Sequence, residues 1–249
     1  RLGRPVGCTN MQHAEVTTLF CIPHAGGNAS CYGMFGQFFP ASVKVVPLDL
    51  PGKGRRCREP LPTCMEAMSR DLLEQMRPTL QASPYAIFGH SMGGLLAFAC
   101  AQLAHESALP MPKALFISSS ATPDKVRTGI DRPVSQLQPG ELWQYVMRMG
   151  GTPPGVAASA ELKRYMEPLL VADFSAVESW QPATCRPLPV PIHVCVGRED
   201  IVTEEEAKLW QQLSSMEGTV RSFSGGHFYI QNHWRELAAH LTHTLYPAA

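Results

Sequence analysis

Gly89-His90-Ser91-Met92-Gly93 places a serine between two glycines, where a short apolar run, Tyr85–Phe88, gives way to a stretch with Leu95, Leu96, Phe98, Ala99 and Leu103 at helical spacing. On a strand-to-helix turn of this kind the hydroxyl projects from the end of the sheet, and the flanking glycines let strand and helix pass without a Cβ clash. G-x-S-x-G is short enough to arise by chance as a solvated glycine-rich connection, so a nucleophile also needs partners. A serine hydroxyl becomes reactive when a base takes its proton, and an imidazole base needs a carboxylate to fix its tautomer and stabilise its cation. The run "VCVGRED", 194–200, leaves Asp200 just past an apolar segment, and "SFSGGHFYI", 222–230, leaves His227 after two glycines at the end of another. Taken singly, Asp200 reads as a helix cap and His227 as a loop histidine. Taken jointly, with each residue beyond a strand end and in the order Ser, Asp, His, they read as nucleophile Ser91, acid Asp200 and base His227. Asp124, after the fourth apolar run, is the alternative acid. His24 and His90 flank the site and are assigned no proton transfer.

A tetrahedral intermediate also needs hydrogen-bond donors for its oxyanion. The N–H after the nucleophile, on Met92, is one. The loop "CIPHAGGNAS", 21–30, leaves an early apolar run through small residues suited to supplying a second backbone donor.

Positioning these residues requires a sheet. Six apolar runs read as strands: 18–22, 43–48, 85–88, 114–117, 192–196 and 220–223, with helical segments between most of them. Thr63-x-x-Glu66 and Thr203-x-x-Glu206 resemble capping boxes at helix starts. Strand alternating with helix predicts an α/β fold: a mostly parallel sheet covered on both faces, with the ligand site beyond the carboxyl ends of the strands. From 124 to 187 the rhythm breaks. Segments 141–149 and 160–178 read as helices separated by "GGTPPG", which predicts a helical insertion serving as a lid; the plainer alternative is a helical subdomain that only stabilises the fold. The whole of 1–249 reads as one domain, with residues 1–10, ahead of Met11, expected to be either a disordered tail or one foreign to it.

Twenty-one basic and 21 acidic residues leave no net charge, which argues against a nucleic-acid or membrane surface. No apolar run is long enough to span a bilayer. Eight cysteines without a C-x-x-C, three of them in apolar segments (Cys21, Cys100, Cys195), read as reduced thiols of a cytoplasmic protein. His233, His240 and His243 read as exposed residues of a terminal helix, so no metal is expected.

"PHAGG" (23–27), "PGKGRR" (51–56), "GHSMGG" (89–94), "GGTP" (150–153), "GRED" (197–200) and "GGHFYI" (225–230) together resemble the external, or type II, thioesterases that accompany nonribosomal peptide and polyketide synthases. The resemblance spans almost the whole chain in order. It implies an α/β-hydrolase fold with a helical lid and hydrolysis of acyl or aminoacyl thioesters from the phosphopantetheine arm of carrier proteins, with no cofactor beyond that arm. It also implies the Ser91–Asp200–His227 roles, with the N–H groups of Ala25 and Met92 as oxyanion hole. Arg55 departs from the pattern, since relatives often carry an acid there. Lys53, Arg55, Arg56 and Arg58 make that loop a candidate contact for an acidic carrier or the arm's phosphate. The alternatives are a carboxylesterase-type hydrolase, an excised terminal release domain of a synthase, and a catalytically silent binding module, against which the triad argues.

Overall fold

Four of the apolar runs are buried along their whole length, as interior strands between two helical layers must be, and the runs at 43–47 and 220–223 are partly covered edges. The computed structural model describes residues 15–126, 132–182 and 185–247. In it β1 (Thr17–Ile22), β2 (Val43–Pro47), β3 (Tyr85–His90), β4 (Leu115–Ser118), β5 (Ile192–Gly197) and β6 (Val220–Phe223) form one sheet. The order is β2-β1-β3-β4-β5-β6 and every neighbouring pair is parallel. β3 outruns its apolar segment by two residues because Gly89 and His90 continue the register against Ile117 and Ser118.

Alternation sorts each strand into two cores. Phe20 and Ile22, Tyr85 and Ile87, Leu115 and Ile117, and Ile192, Val194 and Val196 face α1 (Met65–Leu80) and α2 (Met92–Glu106). Leu19 and Cys21, Ala86 and Phe88, Phe116 and Cys195 face the opposite layer. α3 (Pro139–Met149), α4 (Pro154–Ala158) and α5 (Ala160–Ser179) all fall between β4 and β5, and α6 (Glu204–Lys208) between β5 and β6. α7 (Ile230–Leu245) covers the second core through Leu237, Ala238 and Leu241. Just beyond it the Tyr246 hydroxyl donates to the Ser42 carbonyl at 2.8 Å and accepts the Thr17 N–H at 3.2 Å, tying the end of the last helix to the start of β1.

Two local expectations meet different fates. Thr203 and Glu206 form the reciprocal capping box at α6. Thr63 and Glu66 do not: the N-cap of α1 is Cys64, which puts Glu66 at the second helical position, where it cannot reach back to close the box. The inserted helices have their own apolar centre, Val134, Leu142, Trp143 and Leu170. The tail expected at 1–10, and residues 127–131 and 183–184 within the expected 124–187 insertion, lie outside the described residues. Among the described residues the cysteines are free, no helix is long and apolar enough to cross a membrane, and no cluster of side chains could hold a metal ion.

Candidate active site

Ser91 is the single residue between β3 and α2, and its backbone sits at φ 55°, ψ −120°. Positive φ is strained for a residue with a Cβ and persists only where the surroundings impose it. Here the close packing of strand and helix does so. A Cβ on Gly89 would lie 2.0 Å from the Gly93 carbonyl oxygen, and one on Gly93 would lie 2.1 Å from the Ile22 carbonyl oxygen. The turn is closed by the Ser91 N–H on the Ser118 carbonyl at 2.8 Å.

The structure brings Ser91, His227 and Asp200 into one line from three strand ends. His227 Nε2 stands 3.0 Å from Ser91 Oγ, and Nδ1 stands 2.9 Å from Asp200 Oδ1. The imidazole is 7% exposed and the Asp200 side chain fully buried. Burial alone would push the Asp200 carboxyl up, but the hydrogen bond and charge of His227 outweigh it and hold the group below its ordinary value. With an ionised Asp200 on Nδ1–H, Nε2 is free to accept the Ser91 proton. Asp124 lies apart on an exposed 3-10 turn, 68% exposed, with Lys125 at 3.8 Å as its ion-pair partner.

His90 turns away from Ser91, its Nδ1 lying 2.9 Å from Ser118 Oγ, which in turn contacts the Tyr229 hydroxyl. His24 packs edge-on against Phe228 and lines the pocket. Burial, with the charges of His227 and Lys53, pushes its imidazole down to about 4.

The Met92 N–H opens α2, where the helix dipole favours negative charge. The loop after β1 makes a tight turn: the Gly27 N–H bonds the His24 carbonyl at 2.9 Å and Gly26 sits at φ +74°. That is a type II turn, with Ala25 and Gly26 as its central residues. Both turn residues and Met92 border the pocket into which Ser91 opens. The rest of its wall is mainly apolar, from Leu95 on α2, Trp143 and Val146 on α3, and Leu170, Phe174 and Val177 on α5.

The basic loop divides. Lys53 is only 1% exposed and forms an ion pair with Asp173, so it is a buried residue and not the carrier contact expected of it. Arg56 is occupied by Glu59 and Asp71, both at 2.6 Å. Arg55 touches Asp49 yet remains 79% exposed, and Arg58 is exposed. Sequence reasoning passed over Asp173, which is wholly buried on α5 and accepts the Gly26 N–H at 2.7 Å. The one available signal was an acid embedded in the buried stripe of Leu169, Leu170, Ala176 and Val177.

A family model described as Thioesterase domain matches residues 17–245. The gramicidin S biosynthesis protein GrsT of Aneurinibacillus migulanus is 32% identical over 89% of this chain and 86% of its own length. The medium-chain S-acyl fatty acid synthase thioesterase of Homo sapiens is 32% identical over 85% of this chain and 80% of its own. The solved type II thioesterase BorB, from the borrelidin biosynthetic cluster, superposes with a TM-score of 0.82 at 30% identity, covering 97% of this chain and 95% of that one.

Proposed function

The chain belongs to the thioesterase domain family, and from that premise we propose that it hydrolyses acyl thioesters held on the phosphopantetheine arm of carrier proteins, as an editing or release enzyme of nonribosomal peptide or polyketide assembly. The observation that carries this reading is the Ser91–His227–Asp200 relay, at 3.0 and 2.9 Å, opening into a mainly apolar pocket.

Ser91 Oγ adds to the thioester carbonyl while its proton passes to His227 Nε2, and Asp200 stabilises the imidazolium through Nδ1–H. The oxyanion is met by the Met92 and Ala25 N–H groups, one at a helix N-terminus and one on the turn. Collapse breaks the C–S bond and His227 returns the proton to the departing sulfur, leaving an acyl-serine. Water, deprotonated by the same histidine, then adds to the ester; the free acid leaves and Ser91 regains its proton. No cofactor enters the scheme, since the phosphopantetheine belongs to the substrate. The apolar wall formed by Trp143, Leu170, Phe174 and Val177 suits an alkyl or polyketide-like acyl chain better than one with a charged end, whose burial would go unpaired. The partner is thus an acyl or peptidyl carrier domain, with Arg55 and Arg58 as the basic-loop residues open to it. On this reading the enzyme works in the cytoplasm, where the free thiols of Cys21, Cys100 and Cys195 stay reduced.

The test is mass spectrometry of acyl-loaded carrier protein after exposure to wild-type protein and to Ser91→Ala. The expected result is free carrier thiol with the wild type and a loss of about 10⁴- to 10⁶-fold in rate with the variant. Hydrolysis at the wild-type rate by folded Ser91→Ala would overturn the mechanism.

A further inference from the structure

The buried pair Lys53–Asp173 is not used by the scheme above, yet it touches the oxyanion turn directly. Asp173 Oδ2 accepts both the Gly26 N–H, at 2.7 Å, and the Lys53 ammonium, while Oδ1 has no partner among the described residues. All the hydrogen bonding of this carboxylate therefore runs to the two loops after β1 and β2. Its helix is pressed against the same turn: a Cβ on Gly26 would lie 2.6 Å from Leu170 Cδ2, one helical turn before Asp173. Exposure is 1% for Lys53 and 0% for Asp173. Stability is a poor account of such a pair, because well-packed apolar residues in its place are often as stabilising or more so.

Geometry supplies a better account. In a type II turn the central peptide is the one free to rotate, and its N–H here is that of Gly26. A charged acceptor on that N–H holds the peptide in one orientation. The preceding peptide is fixed in turn by the Gly27 N–H on the His24 carbonyl; because a trans peptide carries its C=O and N–H on opposite sides, the Ala25 N–H is directed away from Gly27. Resting on the thioesterase reading, we propose that Asp173, paired with Lys53, is a positioning residue for the reaction. It locks the His24–Gly27 turn so that the Ala25 N–H serves the oxyanion, and it makes that donor conditional on α5 being seated over the site.

The experiment compares two ligands of one acyl chain. An alkyl trifluoromethyl ketone accepts Ser91 Oγ at its carbonyl carbon, and the resulting hemiketal oxyanion occupies the oxyanion site. The matching alkyl thioether fills the pocket without forming an oxyanion. In Lys53→Met/Asp173→Leu, which removes both charges and fills the volume, ketone affinity and kcat should fall together by about 10- to 100-fold, less than or comparable to deleting an oxyanion donor. Thioether affinity and KM should hold. Lys53→Gln/Asp173→Asn keeps an amide oxygen for the Gly26 N–H and should recover most of the loss. Asp173→Glu, which keeps the charge but carries the acceptor one methylene further, gives the same reading should the apolar pair not fold. Unchanged ketone affinity in a variant lacking the acceptor overturns the proposal, as does an equal loss for ketone and thioether, which would make the pair a wall of the pocket. Wild-type turnover and Ser91 labelling by a fluorophosphonate are measured first. Their failure would strike the thioesterase reading itself, whereas the affinity ratio among variants of an active enzyme speaks only of the clamp.

Discussion

Gly93→Ala sets two effects of opposite sign against each other. Gly93 lies in the first turn of α2, and in a helix alanine is favoured over glycine by about 1 kcal/mol. The added Cβ, however, would stand 2.1 Å from the Ile22 carbonyl oxygen and 2.8 Å from that of Pro23, both backbone atoms. Carbon and carbonyl oxygen rest at about 3.3 Å or more, so β1 and the start of α2 must part by about 1 Å. Overpacking of this kind costs about 1–3 kcal/mol, which offsets the propensity gain and leaves a net loss of about 0–2 kcal/mol. At about 2–4 °C per kcal/mol for a chain of this size, Tm should fall by no more than roughly 8 °C and the protein should remain folded. Activity should suffer far more. Ile22 and Pro23 lead into the His24–Gly27 turn while Gly93 follows Ser91 by two residues, so on the proposed mechanism the displacement separates nucleophile from oxyanion donors. A shift of about 1 Å in reacting groups is worth about 10²-fold in rate. The assay is thiol release from an alkanoyl thioester, fitted for kcat and KM, beside thermal melts. Gly140→Ala, where the new Cβ meets nothing within 4 Å, is the control and should keep wild-type kcat. Folded Gly93→Ala with kcat within about threefold of wild type would refute the claim that this close approach positions the elbow.

Asp200→Asn should lower kcat by about 10⁴-fold through loss of the buried charge behind His227, while Asp124→Asn stays near wild type; a larger loss at Asp124, measured at the same pH, would move the third member of the relay. Arg55→Gln/Arg58→Gln should raise KM for acyl-carrier substrate by about three- to tenfold at low salt, an effect that fades as salt rises, with turnover of a small thioester unaffected; equal effects on both substrates would remove the loop from carrier docking. Acid should destabilise the fold through His24: the folded imidazole stays neutral down to about 4, whereas the unfolded one titrates near 6.5. The unfolded state then binds more protons between those values, so the contribution of His24 is fully present above pH 6.5 and lost as pH falls towards 4, about 2 kcal/mol of it by pH 5. Urea midpoints at pH 7.5 and 5 should therefore converge in His24→Gln relative to wild type, and an unchanged difference would refute the assignment.

The four interior strands were legible because burial on both faces writes them as mostly apolar runs, and the turn at Ser91 because close approach there admits only glycine at 89 and 93. Ser91, Asp200 and His227 meet because parallel strands deliver their carboxyl ends to one edge, a property of topology that local sequence carries. Lys53 was not legible. Its loop is basic and reads as solvated, and the partner that buries it lies 120 residues further on, on an inserted helix. The cap of α1 failed for a smaller reason, a helix start displaced by one residue from Thr63 to Cys64. Local patterns locate elements; they do not say which distant side chain comes to rest on a loop.

Tyr246 has a consequence for how the protein is made. Its hydroxyl secures the entry to β1 from a position 229 residues later in the chain. At about 5–20 residues per second, a ribosome leaves β1 waiting roughly 10–50 s for that hydroxyl. β1 is an interior strand, flanked by β2 and β3, so most of its pairing can form early while its threshold stays unlatched. His227 precedes Tyr246 by only 19 residues. On the proposed mechanism a nascent chain stays hydrolytically inert until His227 has emerged, and the bond that fastens β1 and the base assigned to Ser91 come within the same few seconds of translation.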